Sequence, residues 1–580
     1  MRHHPGTPSS RARGRIVAAV WATCLAQFAL LAAPGAWAQN VPDAGTLLRQ
    51  QPQPPPAPRP PPAKPAPDRP AAAPPAASEA TVQLKGLRIT GNALIPESEL
   101  QAQLEDLVGK ALRFDELLDI RQRLTAYYAM KGYVARVFLP PQEIQDGVLE
   151  VRIVEGIRGD INVQTRAARV DAERVRRFLE ARVPAGAPLD MNAVGEALNI
   201  LNDQPGVQVS SALATGSTES AVDINVTADD RALARFDLAV NNHGGRSTGT
   251  GQATASVTLA NPMGLFDQAS ALVNLAEGST FGRADYSLAL GDRGLRLGVT
   301  GSALDYRVVQ SSFAALQARG TAYSAGLRAL YPVLRRDDLS VAMDGGVDTK
   351  RLQDSTVNGE TGDRRVDVAT VGLSGYSVWF RAGGLTGVTF GVAFAGGSVD
   401  QRNGAALDAD LATRRTQGSY RKVSYDLGVV HTLAPDWSLV GTLRGQQADS
   451  NLDSSERLAL GGPNAVRAYP LGEATGDEGW ILKADLRRRL GDAWRAGVLF
   501  DVGGITRDHT VPPAGAATPN RYTLAATGLL VEWQPRANVS LNFTIAIPVG
   551  ANPGKSADGS NIDGSRSGAA RAWLGLVARF

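Results

Sequence analysis

Cysteine, histidine and aromatic residues are scarce in this 580-residue chain, and each shortage removes a class of chemistry. The single cysteine, Cys24, lies within the N-terminal apolar run. Trp21-Ala22-Thr23 before it make a poor lipidation signal, so the mature chain would have no disulfide or thiol chemistry. The five histidines (His3, His4, His243, His431, His509) are scattered, and no pair has metal-ligand spacing. Neither a G-x-S-x-G elbow nor a Walker loop occurs; Gly564-Ser565-Arg566-Ser567-Gly568 places Arg at its centre and reads as a turn. No catalytic residue, metal or cofactor is therefore expected, and the chain does not read as an enzyme. The formal net charge of +3 is too near balance to argue for a nucleic-acid partner. Beyond Ala38 no run of 18 apolar residues appears, which excludes a membrane-spanning helix.

What is present begins with Arg2, Arg11, Arg13 and Arg15, an apolar run from Ile16 to Ala33, and Ala36-Trp37-Ala38. Basic region, apolar core and small-x-small cleavage site make residues 1–38 a secretory signal, and Pro34-Gly35 disfavours a retained anchor. In segment 39–51, Asp43 caps a short helix ending at Gln51. Residues 52–80 form a Pro/Ala-rich linker that stays extended; at roughly 3.1 Å per residue, some 25 residues reach about 75 Å.

Two copies of one pattern follow. Thr81–Thr90 alternates as a strand, Pro96-Glu97 opens a helix through Leu107, a second helix spans Phe114 to Met130, and Tyr133–Leu139 and Gly147–Val154 read as strands. The order returns as a strand over Gly159–Val163, helices over Asp171–Leu179 and Met191–Leu201, and strands over Val207–Leu213 and Ala221–Val226. These give α+β modules at 81–156 and 157–230.

From Arg231 the texture changes. Ala234, Phe236, Leu238 and Val240 alternate with polar or small residues, and so do Ala253–Leu259, Ala269–Leu275 and Ala284–Leu290. Many such runs in series, behind an export signal, predict an antiparallel transmembrane β-barrel with a wet lumen over 231–580. At ~9–11 residues per strand, and about as many per connection, there is room for about 16 strands. Phe580, Ala578, Leu576, Leu574 and Ala572 form an apolar terminal face.

Leu458 to Gly503 organises the rest. Gly461–Gly479 carries too many Gly, Pro, Asn and Asp residues for a regular element and reads as one ordered loop; Ala496–Gly503 is a strand with Gly497, Leu499, Asp501 and Gly503 on its inner face. Asp485 and Arg487 read as solvated pore wall.

Val466-Arg467-Ala468-Tyr469, followed by Asp501 and Gly503, resembles the V-R-G-Y loop tip and F-x-D-x-G strand of POTRA-domain outer-membrane barrels, and most of all the two-partner secretion (type Vb) transporters that export haemolysins and filamentous adhesins. Gly86–Asn92 with Lys131-Gly132-Tyr133, Asn241–Gly249 (N-x-G-x-x-x-T-G) and Asn261–Asp267 (N-P-L-G-x-G-D) carry the same resemblance in the same order. The sequence departs from it at three places: Ala468 stands for Gly, Leu499 for Phe, and Leu265-Phe266 for the x-Gly before Asp267.

The resemblance implies a loop folded back into the lumen and clamped by Arg467 on Asp501, with Val466, Tyr469 and Gly503 as parts of the clamp. It further implies that Phe580 is read by the barrel-insertion machinery, that a tethered helix plugs the pore, and that the modules sit in the periplasm and hold an unfolded partner exoprotein, an adhesin or cytolysin extended in transit. Outer-membrane lipid would surround the barrel. Alternative readings are a barrel-assembly factor of the same superfamily, a passive porin, a latent outer-membrane hydrolase, and a simple spacer role for linker and modules.

Overall fold

The structure, a computed structural model, describes residues 41–52, 81–144, 146–381, 384–512 and 519–580. The expected signal and nearly all of the proline-rich linker lie outside the described residues.

Helix α1 (Ala44–Gln50) stands by itself before the linker. The first module then runs β1 (Thr81–Gln83), β2 (Gly86–Thr90), α2 (Glu97–Ala102), β3 (Ala111–Arg113), α3 (Phe114–Met130), β4 (Ala135–Phe138) and β5 (Val148–Glu155). β5 is the central strand, parallel to β2 and antiparallel to β4. The helices cover one face through Leu100, Leu117, Ile120, Leu124 and Tyr128, packed on Ile89, Val151 and Ile153.

Two expectations change here. The strand foreseen over Thr81–Thr90 breaks at Leu84-Lys85, because Leu84 exchanges backbone hydrogen bonds with Gly109 and Lys110 while β1 pairs with β3. Helix α2 ends at Ala102 and not at Leu107, because the backbone tightens into three-residue turns from which Leu104 and Leu107 enter the core.

The second module repeats the plan with β6 (Ile157–Thr165), α4 (Ala172–Glu180), α5 (Met191–Asn202), β7 (Val207–Thr215) and β8 (Ala221–Asp230). β8 is central, parallel to β6 and antiparallel to β7. Asp171 and Asp190 cap α4 and α5, each accepting a first-turn N–H.

The remaining strands close into a barrel of sixteen. They are β9 (Ala234–Asn241), β10 (Gln252–Ala260), β11 (Gln268–Ala276), β12 (Ser279–Leu290), β13 (Leu295–Arg307), β14 (Arg319–Arg335), β15 (Leu339–Thr356), β16 (Gly359–Arg381), β17 (Gly384–Gln401), β18 (Gly418–Ala434) and β19 (Trp437–Ala448). A long loop follows, with the two-residue pair β20 (Leu458–Ala459) and β21 (Thr475–Gly476). The wall is completed by β22 (Glu478–Leu490), β23 (Trp494–Thr506), β24 (Arg521–Arg536), β25 (Val539–Val549) and β26 (Arg571–Arg579). Every pairing in the wall is antiparallel, and β26 meets β9 from Gly575↔Asn241 to Arg579↔Asp237. Phe580 extends this seam by exchanging backbone hydrogen bonds with Phe236.

Alternation decides what each face meets. Phe236, Leu238, Val240, Val498, Phe500, Leu574 and Leu576 are exposed on the outside, where hydrocarbon would cover them. Closure leaves no wall edge unpaired, the condition for a sheet to cross lipid. Trp494 stacks on Trp533, ring centroids 5.3 Å apart, at the end carrying the short turns, a position suited to a membrane interface. Among the described residues no helix is long and apolar enough to span a membrane.

Candidate functional site in the barrel lumen

The segment from Asp449 to Asp477 folds back into the barrel because its charges find partners only there. At its tip the guanidinium of Arg467 meets Asp501 of β23 through Nε (2.8 Å) and Nη2 (2.6 Å), and the Arg467 backbone N–H donates to the same carboxylate at 3.0 Å. Nη2 also reaches Asp485 of β22 at 2.5 Å, and Arg487 donates to the far oxygen of Asp485 at 2.7 Å. Asp501 is 0% exposed and Arg467 5%. A buried carboxylate is tolerable only when a cation and further donors compensate it, and the planar Arg fork supplies both.

The expected clamp residues come together. Val466 and Tyr469 are buried with Leu460, Leu499 and Ile505 in one apolar cluster beside the ion pair. Gly503 has an ordinary backbone angle; it is small because a Cβ there would lie 2.9 Å from Leu460 and 3.4 Å from Val466. Ala468 avoids the left-handed region, so a methyl costs nothing in backbone strain. Leu499 takes its place in the cluster with 2% exposure. Phe580 lies apart, on the outer face at the seam.

Other participants escaped sequence reasoning. Asp485, expected as solvated wall, is instead the second acceptor for Arg467, because the inward row of β22 lies directly beneath the loop tip. Trp573 of β26 donates its indole N–H to the Arg467 carbonyl at 2.8 Å. Higher on the loop, Glu456 is held by Lys422 at 2.7 Å and by Lys350, and Asp477 is held by Arg457 (3.1 Å) and Arg414 (3.0 Å). Burial alone would raise the Glu456 carboxyl, but the two lysines hold it down at about 2.

Helix α1 docks against the same loop. Asp43 caps it, accepting from the Thr46 N–H at 2.9 Å, and contacts Arg364 of β16 and Ser454 of the loop at 2.6 Å each. Arg364 is shared further, with Asp354 (2.9 Å) and Asp453 (2.6 Å). The Ala44 N–H donates to Asp354 at 2.7 Å, and Asn274 of β11 donates to Gln51 at 3.0 Å. Leu47 is 2% exposed and lies in a cluster with Leu304, Tyr306, Leu352 and Tyr420. Among the described residues no group of His, Cys, Asp and Glu side chains has the arrangement of a metal site.

Residues 219–518 match the haemolysin secretion/activation protein family ShlB/FhaC/HecB, and residues 82–156 match the ShlB-type POTRA domain. The chain is 24% identical over 504 residues to the heme/hemopexin transporter protein HuxB of Haemophilus influenzae, covering 84% of this chain and 85% of the relative. It is 22% identical to the outer membrane transporter CdiB of Dickeya dadantii, covering 73% and 74%, and 23% identical to the hemolysin transporter protein HpmB of Proteus mirabilis, covering 70% and 72%. In fold it is similar to CdiB from Escherichia coli, with a TM-score of 0.65, 20% identity and coverage of 89% of this chain and 93% of that one. The chain thus belongs to the ShlB/FhaC/HecB family of haemolysin secretion/activation proteins: it is a two-partner secretion transporter of the outer membrane, with POTRA modules on the periplasmic side and a sixteen-stranded barrel through which a partner protein is exported.

Proposed function

We propose that the two soluble modules take the partner exoprotein in the periplasm as an extended chain and pass it to the lumen. β2 and β4 flank the first sheet and β6 and β7 the second, and an edge strand can accept an extended peptide by adding it as a further strand. The inner wall is largely polar, so the chain would meet apolar surface mainly at the two clusters that α1 and the loop occupy at rest. Folding of the partner outside, with burial of its apolar surface, gives the direction, since no nucleotide site is recognisable in the sequence.

In the resting state α1 and the loop tip close the lumen. Arg467, Asp501, Val466, Tyr469 and Gly503 act as the clamp holding the loop, with Asp485 as second acceptor; the pair of carboxylates on one buried guanidinium carries this reading. Phe580 and its apolar face serve as the signal for the barrel-insertion machinery. The relatives are named for heme/hemopexin and hemolysin transport, and a secreted adhesin or cytolysin is the class of cargo proposed here.

Partner secretion by Arg467→Ala and Asp501→Ala chains that still insert tests the clamp. Export should fall in both, and normal export by both removes the clamp from the mechanism.

A further inference from the structure

The turn between β10 and β11 holds a backbone conformation that its sequence should avoid. Phe266 has φ +55°, the left-handed region that a bulky side chain enters only at a cost, and it stands where the resembled motif carries glycine. The strain is maintained by its surroundings. The Phe266 N–H donates to Asn261 Oδ1 at 2.7 Å, and Arg296 of β13 donates to the Phe266 carbonyl at 2.8 Å.

The ring points away from the barrel and is completely buried in the second module. It meets Phe178 of α4 edge-on, centroids 5.6 Å apart, with the Arg174 guanidinium 4.8 Å from its centroid. Phe266 and Ala289 of the barrel share one apolar core with Phe178, Leu179 and Ile200, whereas the first module's core contains no barrel residue. Polar contacts surround this wedge: Arg174 to the Ala289 carbonyl at 3.0 Å, Asn261 to the Arg169 carbonyl at 2.9 Å, Arg296 to Gln204 at 3.0 Å, and Arg335 to Asp203 at 2.5 Å. All of them lie beneath β10 to β14. Glycine would relax the turn but leave the socket in α4 empty.

We propose that Phe266 is a positioning residue, which seats the second module at one angle on the periplasmic rim so that the partner is delivered to a fixed side of the pore mouth. The delivery half rests on the function proposed above; the seating half does not, and the two are read separately. The only cysteine, Cys24, falls in the expected signal, so spin labels placed at Glu173→Cys in α4 and Asp492→Cys in the β22–β23 turn are unique in a chain that begins after Ala38.

In reconstituted membranes the native background should give one narrow distance distribution. Phe266→Gly should broaden it and lower partner export several-fold, while the heat resistance of the folded barrel on a gel stays unchanged; Phe266→Leu, which refills the socket, should recover part of both. A distribution that stays narrow in Phe266→Gly overturns the seating. A broad one with full export leaves the seating and overturns its role in delivery. If Phe266→Gly does not insert, Phe178→Ala empties the other side of the socket without touching the barrel and must give the same broadening for the proposal to stand.

Discussion

Asp501 is fully shut off from solvent, so losing Arg467 would leave its charge uncompensated, which makes the pair a sensitive point of the lumen. Removing one member of a buried ion pair typically costs about 3–5 kcal/mol, because the other charge stays desolvated. Asp501→Asn keeps the shape and removes the charge, leaving Asp485 to balance both Arg467 and Arg487. Proteases added outside cells should then cut the Asp449–Asp477 loop far faster than in the native protein, while the barrel still inserts; an uncut loop would show that Asp485 and Trp573 suffice. The Arg467–Asp501 pairing was legible because a distinctive loop tip and strand stand in order in the sequence. Asp485 was not, since an inward Asp on a pore strand looks the same whether water or a guanidinium faces it.

Helix α1 is seven residues long, too short to be stable in water without a tertiary surface to bind. It is attached by Leu47, the largest apolar side chain it buries beside Ala44 and Leu48, by the capping carboxylate of Asp43, and by the polar contacts of Ala44 and Gln51. Burial of Leu47 contributes about 1.5–3 kcal/mol, and an Asp in its place would bury a charge among Leu304, Tyr306 and Leu352. Leu47→Asp should therefore raise single-channel conductance and open frequency in planar bilayers; unchanged currents would mean that the loop alone seals the pore.

The pH response of this docking has a definite sign. Burial raises the Asp43 carboxyl, but Arg364 and the hydrogen bonds from Ser454 and Thr46 outweigh it and hold the group at about 2, below its ordinary 3.8. A depressed carboxylate stabilises the docked state fully above its undocked value and loses that contribution only as pH falls through about 2. Conductance of the resting protein should thus be the same at pH 7 and pH 5; a rise over that interval would require another titrating group. The capped helix could be read from Asp43 and its spacing to Thr46. Its place in the lumen depends on Arg364, Asp354 and Asp453, which lie more than 300 residues away and have no shared local signature.

For the whole molecule, the barrel and its modules make separable demands. The apolar outer rows and the unbroken hydrogen-bonded wall are confined to residues from Ala234 onward. Deleting 81–230 together with the linker should leave a barrel that inserts and resists heat but exports no partner, a result read by comparing surface and periplasmic partner. Depleting the intact protein should abolish secretion of one partner while bulk outer-membrane barrels stay at normal abundance. A general loss of barrels would instead assign it an assembly role.

Alternation of apolar and polar residues determined the barrel, since a period of two with breakers between runs admits few other ways of hiding backbone amides from lipid; the repeated strand–helix order determined the modules in the same way. Tertiary structure alone decided which of many charges are buried, how α1 and the loop share Arg364, and that Phe266 belongs to the core of a module encoded before the barrel begins. Those outcomes depend on contacts between segments distant in the chain, where closure of the wall, rather than any local pattern, sets which side chains meet.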